Sequence, residues 1–358
     1  MNLKKLLTLT LVLTLVMSIF LVGCGADKEE SQDGQDQKDQ PKEDQEQQQA
    51  DQKDEAEIKI AMVTDVGGVN DNSFNQSAWE GLEALHSDLG EKVKVDYVQS
   101  TGDADYIPNL NSFVKDGWDL TWGIGFLMGD HVNQVAEQNP DAKLAIIDAV
   151  VEAPNVASVT FKEHEGSYLV GVVAGLMTKT DKIGFVGGMS IPVIKRFEAG
   201  FTAGVEAVNP DAEVIIQYTE AFDKPDLGKA AAATMFDQNA DIIFHAAGAV
   251  GDGVFNEGKT RKEAGDDVWV IGVDKDQSIT FGKDITLTSM MKRVDEAIYR
   301  ISKDLAEGNF QPGFISLGLK ENAVGLPAEN PNIPQDVLDK VAEYKEKIVN
   351  GEIEVPSE

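Results

Sequence analysis

The stretch MVTDVGGVNDNSFNQSAWEGLEAL, residues 62–85, passes from an apolar strand through a polar loop into a helix. The loop holds acids and asparagines, and Phe74 stands where the helix begins. Asp, Asn and Ser are the residues that accept hydrogen bonds from free N–H groups at a helix start. A strand that leads directly into a helix predicts the first half of a βαβ unit.

The same alternation runs through the rest of the chain in two rounds. We predict strands at 58–64, 93–98, 120–126, 143–150 and 156–161, and again at 182–189, 213–219, 241–248, 268–274 and 285–291. Helices are predicted at 74–88, 104–116, 128–138, 163–178, 191–208, 226–238, 250–264, 294–306 and 335–349. Strands that alternate with helices predict parallel sheets covered by helices on both faces.

The two rounds predict an α/β protein with two doubly wound parallel-sheet lobes and an interdomain cleft. We expect residues 58–165 and 295–358 to form lobe 1, and residues 166–294 to form lobe 2. In open parallel sheets, ligands bind at the carboxyl ends of the strands. Side chains that follow the strands are therefore candidates for a site between the lobes.

The N-terminus predicts a secretory signal that ends in a lipidation site. Lys4 and Lys5 precede an apolar run over residues 6–22, and Gly23 and Cys24 follow it. A basic start, an apolar middle and small residues before a cleavage point are typical of a signal peptide, here residues 1–23. The Leu-x-Gly-Cys ending resembles the bacterial lipobox, in which the cysteine carries the lipid. The alternative is a retained anchor, but the run is near the lower limit of about 17 residues for spanning a bilayer.

Residues 24–57 are predicted to be a disordered acidic tether. They contain many acids and glutamines, few lysines and no aromatic or branched aliphatic side chain. Such a segment has no apolar surface to bury against the entropy of ordering. The whole chain has a formal net charge of -31. Nucleic acid is an unfavourable partner for it, because no basic surface is available to neutralise phosphates.

Several polar and aromatic residues fall at the predicted strand exits. They are Asp71, Asn72 and Phe74 after the first strand, Asp148 after the fourth, Phe197 after the sixth, Gly248 after the eighth, Asp274 after the ninth and Lys292 after the tenth. Ordinary explanations exist for each: a helix cap, a core phenylalanine, a solvated strand end or a surface lysine. The acids end apolar runs, however, and paired acids suit hydrogen bonds to adjacent hydroxyls such as those of a ribose.

The chain offers no recognisable catalytic or metal motif. Its four histidines are scattered, and neither HExxH, GxSxG nor CxxC occurs. No nucleophile is accompanied by an evident base, so an enzyme, a bound metal and a cofactor are not predicted.

Long ordered motifs resemble the basic membrane protein family of bacterial lipoproteins. They are DNSFNQSAWEGL (71–82), GIGF (123–126), LAIID (144–148), FKEHEGSYLVGVVAGLMTKT (161–180), FEAGFTAGV (197–205), GDGVF (251–255), VIGVDKDQ (270–277) and TSMMKRVD (288–295). The resemblance spans residues 58 to about 325. It implies a type I periplasmic-binding-protein fold and a substrate-binding protein of an ABC importer, with members that resemble purine nucleoside receptors.

The resemblance also implies roles for the candidate residues. Phe74 and Phe197 match the two phenylalanines that sandwich the base, and Asp71 with Asn72 match the pair that reads the base edge. Asp148, Asp274 and Lys292 match the residues that hold the ribose, and Gly248 matches a backbone contact. The run HAAGAVGDGVF (245–255) is less glycine-rich than the family pattern.

These observations predict a membrane-tethered monomer on the extracytoplasmic face of the bacterial membrane. Its expected partners are a purine nucleoside, the permease and ATPase subunits of an importer, and the membrane itself through the lipid anchor. Two alternatives stay open: a protein of the same fold for a sugar or an autoinducer, and a nucleoside-cleaving enzyme that uses Asp148 or Asp274.

Overall fold

The computed structural model describes residues 57–358. The predicted signal peptide, Cys24 and nearly all of the predicted tether lie outside this range. Among the described residues, no helix combines the length and the apolar character needed to span a membrane.

The first lobe is built on a six-stranded parallel sheet. In chain order its strands are β1 (Ile58–Thr64), β2 (Val93–Gln99), β3 (Leu120–Ile124), β4 (Leu144–Ile147), β5 (Val156–Phe161) and β11 (Gly313–Leu317). Their order across the sheet is β11-β5-β4-β3-β1-β2. The helices of this lobe are α1 (Phe74–Leu89), α2 (Asp103–Lys115), α3 (Gly129–Gln138) and α9 (Val294–Ala306).

The second lobe repeats the plan with one antiparallel strand at its edge. Its strands are β6 (Lys182–Gly187), β7 (Glu213–Tyr218), β8 (Ile242–Ala246), β9 (Trp269–Asp274), β10 (Thr286–Lys292) and β12 (Val324–Gly325), in the order β12-β10-β9-β8-β6-β7. Its helices are α4 (Glu163–Met177), α5 (Pro192–Val208), α6 (Pro225–Asp237), α7 (Val250–Ala264), the short α8 (Ser278–Phe281) and α10 (Gln335–Val349). The prediction of two doubly wound lobes is thus confirmed.

Apolar strands explain why both sheets form the interior. Every residue of β3, β4 and β8 is buried. Strands without a polar face need cover on both sides, and the flanking helices supply it. In contrast, β11 is almost entirely exposed and lies at the sheet edge beside β5.

The connections between the lobes differ from the expectation at the C-terminal end. The described chain crosses between β5 and α4, between β10 and α9, and between β11 and β12. Strand β12 pairs antiparallel with β10, through Lys292 and Val324, and α10 packs on α4. The C-terminal residues from β12 on therefore lie with the second sheet, although we expected residues 295–358 in lobe 1. No local sequence pattern predicts the placement of β12, because this strand has only two residues and pairs with a strand that is distant in the sequence.

Candidate functional site

A cleft lies where the carboxyl ends of the two sheets meet. The space within it, together with the solvent at its opening, amounts to about 590 Å³. The predicted residues that line it are Asp71, Phe74, Asp148, Phe197, Gly248, Asp274 and Lys292. Asn72 does not line it. Asp65, Asn75, Phe126 and Phe222 line it as well.

Asp148 and Asp274 occupy unusual backbone conformations at the strand ends. Asp148 directly follows β4 with φ 72°, and Asp274 ends β9 with φ 64°. Residues other than glycine rarely adopt positive φ, and such strain is concentrated at functional sites. Both carboxylates are buried in the cleft wall.

Lys292 stands at the centre of a buried charge network. Its Nζ lies 2.7 Å from Asp148 Oδ2 and 3.1 Å from Glu163 Oε1. Glu163 in turn accepts a 2.6 Å hydrogen bond from Arg196 Nε. Burial disfavours the charged lysine, but Asp148, Glu163 and Asp274 outweigh it, so the pKa of Lys292 is raised. The ammonium therefore stays charged although the residue is only 1% exposed.

The two predicted phenylalanines come from different lobes. Phe74 begins α1 and Phe197 lies in α5. The Nζ of Lys292 is 5.0 Å from the ring centroid of Phe74 and 5.7 Å from that of Phe197. Both rings therefore border the same charged group and the same cleft. The separation of the rings along the chain, one in each lobe, means that a planar ligand between them would contact both lobes at once.

Both carboxylate oxygens of Asp71 accept hydrogen bonds from residues at the start of α1. Its Oδ1 accepts from the backbone N–H groups of Ser73 and Gln76, at 2.9 and 3.0 Å. Its Oδ2 accepts from the backbone N–H and from Nδ2 of Asn75, at 2.8 and 3.0 Å. Asp71 therefore caps the helix with both oxygens, which gives a structural reason for an acid at this position.

Asn72 faces the second lobe outside the cleft. Its Nδ2 donates to Asp252 Oδ2 at 3.1 Å, and its backbone carbonyl accepts from Gln277 Nε2 at 3.0 Å. Gln277 is held in place by its own lobe, because its Oε1 accepts from the backbone N–H of Val273 at 3.0 Å and lies 2.9 Å from His245 Nε2. Asn72 thus joins the lobes to each other.

Asp274 is joined to the first lobe by a hydrogen bond from the hydroxyl of Ser73. Burial raises the pKa of Asp274 to about 7, although Lys292 and Ser73 favour the ionised form. Burial likewise raises the pKa of Asp65 to about 6, against hydrogen bonds from Asn75 and Gly67. The cleft therefore contains carboxylates that change charge near neutral pH.

Sequence reasoning missed several residues that surround the predicted set. Glu163 and Gln277 are among them, whereas Asn75 and Arg196 stand at predicted strand exits but were not predicted to be ligand contacts. Glu163 carried a signal, since it is one of two acids in the first turn of helix α4, whose later part is apolar. No group of acids, histidines or cysteines within residues 57–358 is arranged to hold a metal ion.

The chain matches the family model described as ABC transporter substrate-binding protein PnrA-like over residues 58–358, the whole folded part described above. The protein belongs to this family. The expected family is thereby confirmed, and the PnrA-like family is one of substrate-binding proteins, a class that works outside the cytoplasm.

Several curated proteins are similar to this chain along most of their length. A CD4+ T-cell-stimulating antigen of Listeria monocytogenes is 49% identical over 315 residues, which are 84% of this chain and 88% of the relative. The ABC transporter nucleoside-binding protein BmpA of Lactococcus lactis is 41% identical over 318 residues, 85% of this chain and 90% of the relative. Basic membrane protein A of Borreliella burgdorferi is 35% identical over 306 residues, 84% of this chain and 88% of the relative.

Solved structures support the PnrA-like fold. A solute-binding protein of an ABC transporter system from Aeropyrum pernix superposes with a TM-score of 0.77 at 33% identity, over 84% of this chain and 94% of that one. A solute-binding protein from Conexibacter woesei gives a TM-score of 0.67 at 26% identity, over 84% and 99% of the two chains. The type I periplasmic-binding-protein fold expected from the sequence is therefore confirmed.

Proposed function

We propose that the protein binds a purine nucleoside in the cleft and delivers it intact to the permease and ATPase subunits of an ABC importer. The observation that carries the proposal is the placement of Phe74 and Phe197, one in each lobe, on a single cleft. A base has two π-faces, and its stacking on an aromatic ring is worth about 1–3 kcal/mol. A ligand stacked on both rings favours the closed arrangement of the lobes.

The polar lining supports a ligand rich in hydrogen-bond donors. Asp148 and Asp274 offer carboxylate oxygens beside Lys292, which is already paired with Asp148 and Glu163. Vicinal hydroxyls of a ribose would donate to these two acids. Gly248, with φ 56°, brings backbone to the cleft wall. A phosphate group would meet several carboxylates here, so an unphosphorylated nucleoside suits the site better than a nucleotide.

The name of the Lactococcus lactis relative, a nucleoside-binding protein, favours the same ligand. We further propose that Cys24 carries a lipid and that residues 24–57 tether the folded part to the extracytoplasmic face of the bacterial membrane. We expect a monomer that has no enzymatic activity, needs no cofactor and does not bind nucleic acid.

The proposal is tested by identifying the ligand. The protein purified from its host is denatured, and the small molecules released are measured by mass spectrometry. The folded protein is then titrated by calorimetry with guanosine, inosine, adenosine, cytidine and ribose. A co-purifying or tightly bound purine nucleoside supports the proposal, and no binding of any nucleoside to folded protein refutes it.

Two results would support the alternatives. If ribose bound with the same affinity as the nucleosides, the site would be a sugar site, because the base would contribute nothing to the affinity. Free base released from inosine over hours would indicate a nucleoside-cleaving enzyme. In that case Asp148→Asn and Asp274→Asn would abolish the release.

A further inference from the structure

Strand β11 leaves one edge of the first sheet open. Among the described strands it pairs only with β5, and it ends the strand order β11-β5-β4-β3-β1-β2. Its first four residues are exposed, including Phe314 at 58% and Ile315 at 37%. A free strand edge presents unpaired N–H and C=O groups, and natural proteins protect such edges with charged side chains, prolines or bulges.

Charged side chains are absent from this edge. Residues 309–319, which include β11, contain no Asp, Glu, Lys or Arg, although 26% of the chain is charged and its net charge is -31. The other edge strand of the same sheet, β2, carries exposed Lys94 and Asp96, and the edge strand β7 of the second sheet begins with exposed Glu213. Copies of so acidic a chain repel each other. At the neutral edge of β11 two copies can meet without placing acids opposite each other.

The backbone direction of β11 determines which of its residues can pair with a further strand. The carbonyl of Leu317 accepts from the backbone N–H of Lys162 at 2.8 Å, so the backbone groups of Leu317 face the side of β5. The backbone groups of alternate residues point to opposite edges of a strand. Those of Phe314 and Ser316 therefore point outward, away from β5.

The outward edge is closed at both ends. Pro312 stands directly before the strand and has no N–H to donate. The N–H of Gly318 donates to Glu321 Oε2 at 2.8 Å, so it is already satisfied. A partner strand can consequently form a hydrogen-bonded ladder only with the backbone groups between these two positions.

The sequence of β11 is complementary to itself. In an antiparallel pair centred on Ile315, Phe314 of each copy lies opposite Ser316 of the other, and Leu317 lies opposite Gly313. Each large side chain thus faces a small one. Phe314 and Ser316, whose backbone groups point outward, are also the residues that exchange both N–H···O=C bonds in this register. A contact across a two-fold axis requires such a self-complementary surface.

We propose that two copies of the protein associate through β11, which pairs antiparallel about Ile315 and joins the two first sheets into one continuous sheet. The contact is small, so the pairing is weak and the expected monomer persists in dilute solution. Copies tethered to one membrane meet at a higher effective concentration, and there the pair forms. This last step rests on the proposed tether. The clefts keep their ligand sites, because no residue of β11 lines the cleft.

Sedimentation equilibrium tests the association. The mature chain, residues 24–358, carries Cys24→Ser, so that it has neither a lipid nor a thiol. Dimer should appear as the concentration approaches the millimolar range, without any nucleoside. Ile315→Lys places two ammonium groups opposite each other at the two-fold axis, and like charges in that position oppose strand pairing. The dissociation constant of the dimer should rise by more than about 10-fold.

The matched control is Ile279→Lys, because Ile279 is 83% exposed on α8 in the second lobe and undergoes the same change. It should leave the dissociation constant of the dimer unchanged. Protein that stays monomeric at millimolar concentration would overturn the inference, as would a dimer that Ile315→Lys does not weaken. Thermal unfolding checks that both variants are folded.

Cross-linking tests the register. Directly opposite residues of a non-hydrogen-bonded antiparallel pair have Cα atoms about 4.5 Å apart, a distance that a disulfide can bridge. Ile315→Cys, added to Cys24→Ser, should therefore give covalent dimers under mild oxidation. Lys320→Cys is the control, since Lys320 is exposed just beyond β11 but lies opposite Phe310 of the other copy in this register.

Equal yields of covalent dimer from Ile315→Cys and Lys320→Cys would indicate random collisions and overturn the proposed pairing. The open edge would then be left for an extended segment of another protein. Should Ile315→Lys fail to fold, the comparison of the two cysteine variants still decides. None of these measurements needs a ligand, so their outcome does not depend on whether the cleft binds a nucleoside.

The role of the membrane is measured with lipidated Ile315→Cys protein on vesicles. It should cross-link at a lower total concentration than the same variant free in solution. Equal cross-linking of the two forms would refute the role of the membrane.

Discussion

The backbone carbonyl of Asn72 in the first lobe accepts a 3.0 Å hydrogen bond from the side chain of Gln277 in the second. Gln277 is 1% exposed and held by Val273 and His245, so it presents its Nε2 in one direction. Together with Asn72 and Asp252, it forms an inter-lobe clasp next to the cleft. None of the three residues lines the cleft, although Asn72 was predicted to contact the ligand.

We predict that Gln277→Glu weakens nucleoside binding mainly through faster dissociation. The carboxylate has no N–H to offer the Asn72 carbonyl and would repel it, so the closed arrangement loses stability without loss of a ligand contact. Stopped-flow fluorescence should show an increased dissociation rate with a nearly unchanged association rate. The control is Glu80→Gln, which breaks the partly exposed pair with Lys275 at 2.6 Å and should change either rate little, since such pairs contribute about 0–1 kcal/mol.

We predict that Phe74→Ala and Phe197→Ala each lower nucleoside affinity about 5- to 150-fold, the equivalent of about 1–3 kcal/mol of stacking per base. Isothermal calorimetry measures the loss. Phe314→Ala serves as the control, because Phe314 is 58% exposed on β11 and does not line the cleft. Unchanged affinity in the Phe74 and Phe197 variants would show that the base does not bind between these rings.

Asp274→Asn should raise the thermal stability of the ligand-free protein at pH 8. The folded-state pKa of about 7 exceeds the ordinary value of 3.8, so the folded protein binds this proton more tightly than the unfolded chain. A carboxyl group with a raised folded-state pKa lowers the free energy of unfolding progressively as the pH rises from about 4 to 7. For the pKa shift of Asp274 the loss is at most about 4 kcal/mol.

Scanning calorimetry at pH 5 and pH 8 provides the check. The increase in Tm should be clear at pH 8 and small at pH 5, where Asp274 is already protonated. The exposed Asp223→Asn should show no such dependence on pH. A Tm of Asp274→Asn below that of the unaltered protein at pH 8 contradicts the prediction. The same variant should bind nucleosides more weakly, because a carboxylate accepts hydroxyl donors better than an amide.

Lys292→Met should destabilise the protein by about 3–5 kcal/mol, because it leaves Asp148 buried without its cation. Adding Asp148→Asn should restore part of the loss, since Glu163 retains its 2.6 Å pair with Arg196. Urea unfolding of both variants measures the difference. A double variant no more stable than Lys292→Met would mean that the ammonium acts mainly through Glu163 and the rings of Phe74, Phe161 and Phe197 rather than through Asp148.

Most of the architecture could be predicted because hydrophobic periodicity is a local property of the sequence. Apart from the short α8, which was not predicted, the strands and helices up to α9 fall close to their predicted bounds, and the helices α7, α9 and α10 match them fully. Strands β11 and β12 could not be predicted. The segment GFISL of β11 is short and exposed. It pairs with β5, with Gly313 beside Ala157, and these two residues lie about 150 positions apart in the sequence.

The candidate site shows the same division between local and long-range information. Topology places strand ends at the cleft, and this brought together all the predicted residues except Asn72. The choice between Asn72 and Asn75 depends on how α1 begins, because the cap formed by Asp71 turns Asn75 inward and leaves Asn72 at φ 53° towards the other lobe. The hydrogen-bond partners of Asn72 are Asp252 and Gln277, which lie 180 and 205 residues further along the chain.

The direction of β1 determines how the protein can be held. Its carboxyl end opens on the cleft, so its first residue, Ile58, lies at the opposite edge of the sheet. A surface, bead or fluorescent fusion attached through the residues before Ile58 would hold the first lobe at the edge of its sheet that is opposite the cleft. The cleft-lining edge of the first sheet would then be the edge farthest from the point of attachment.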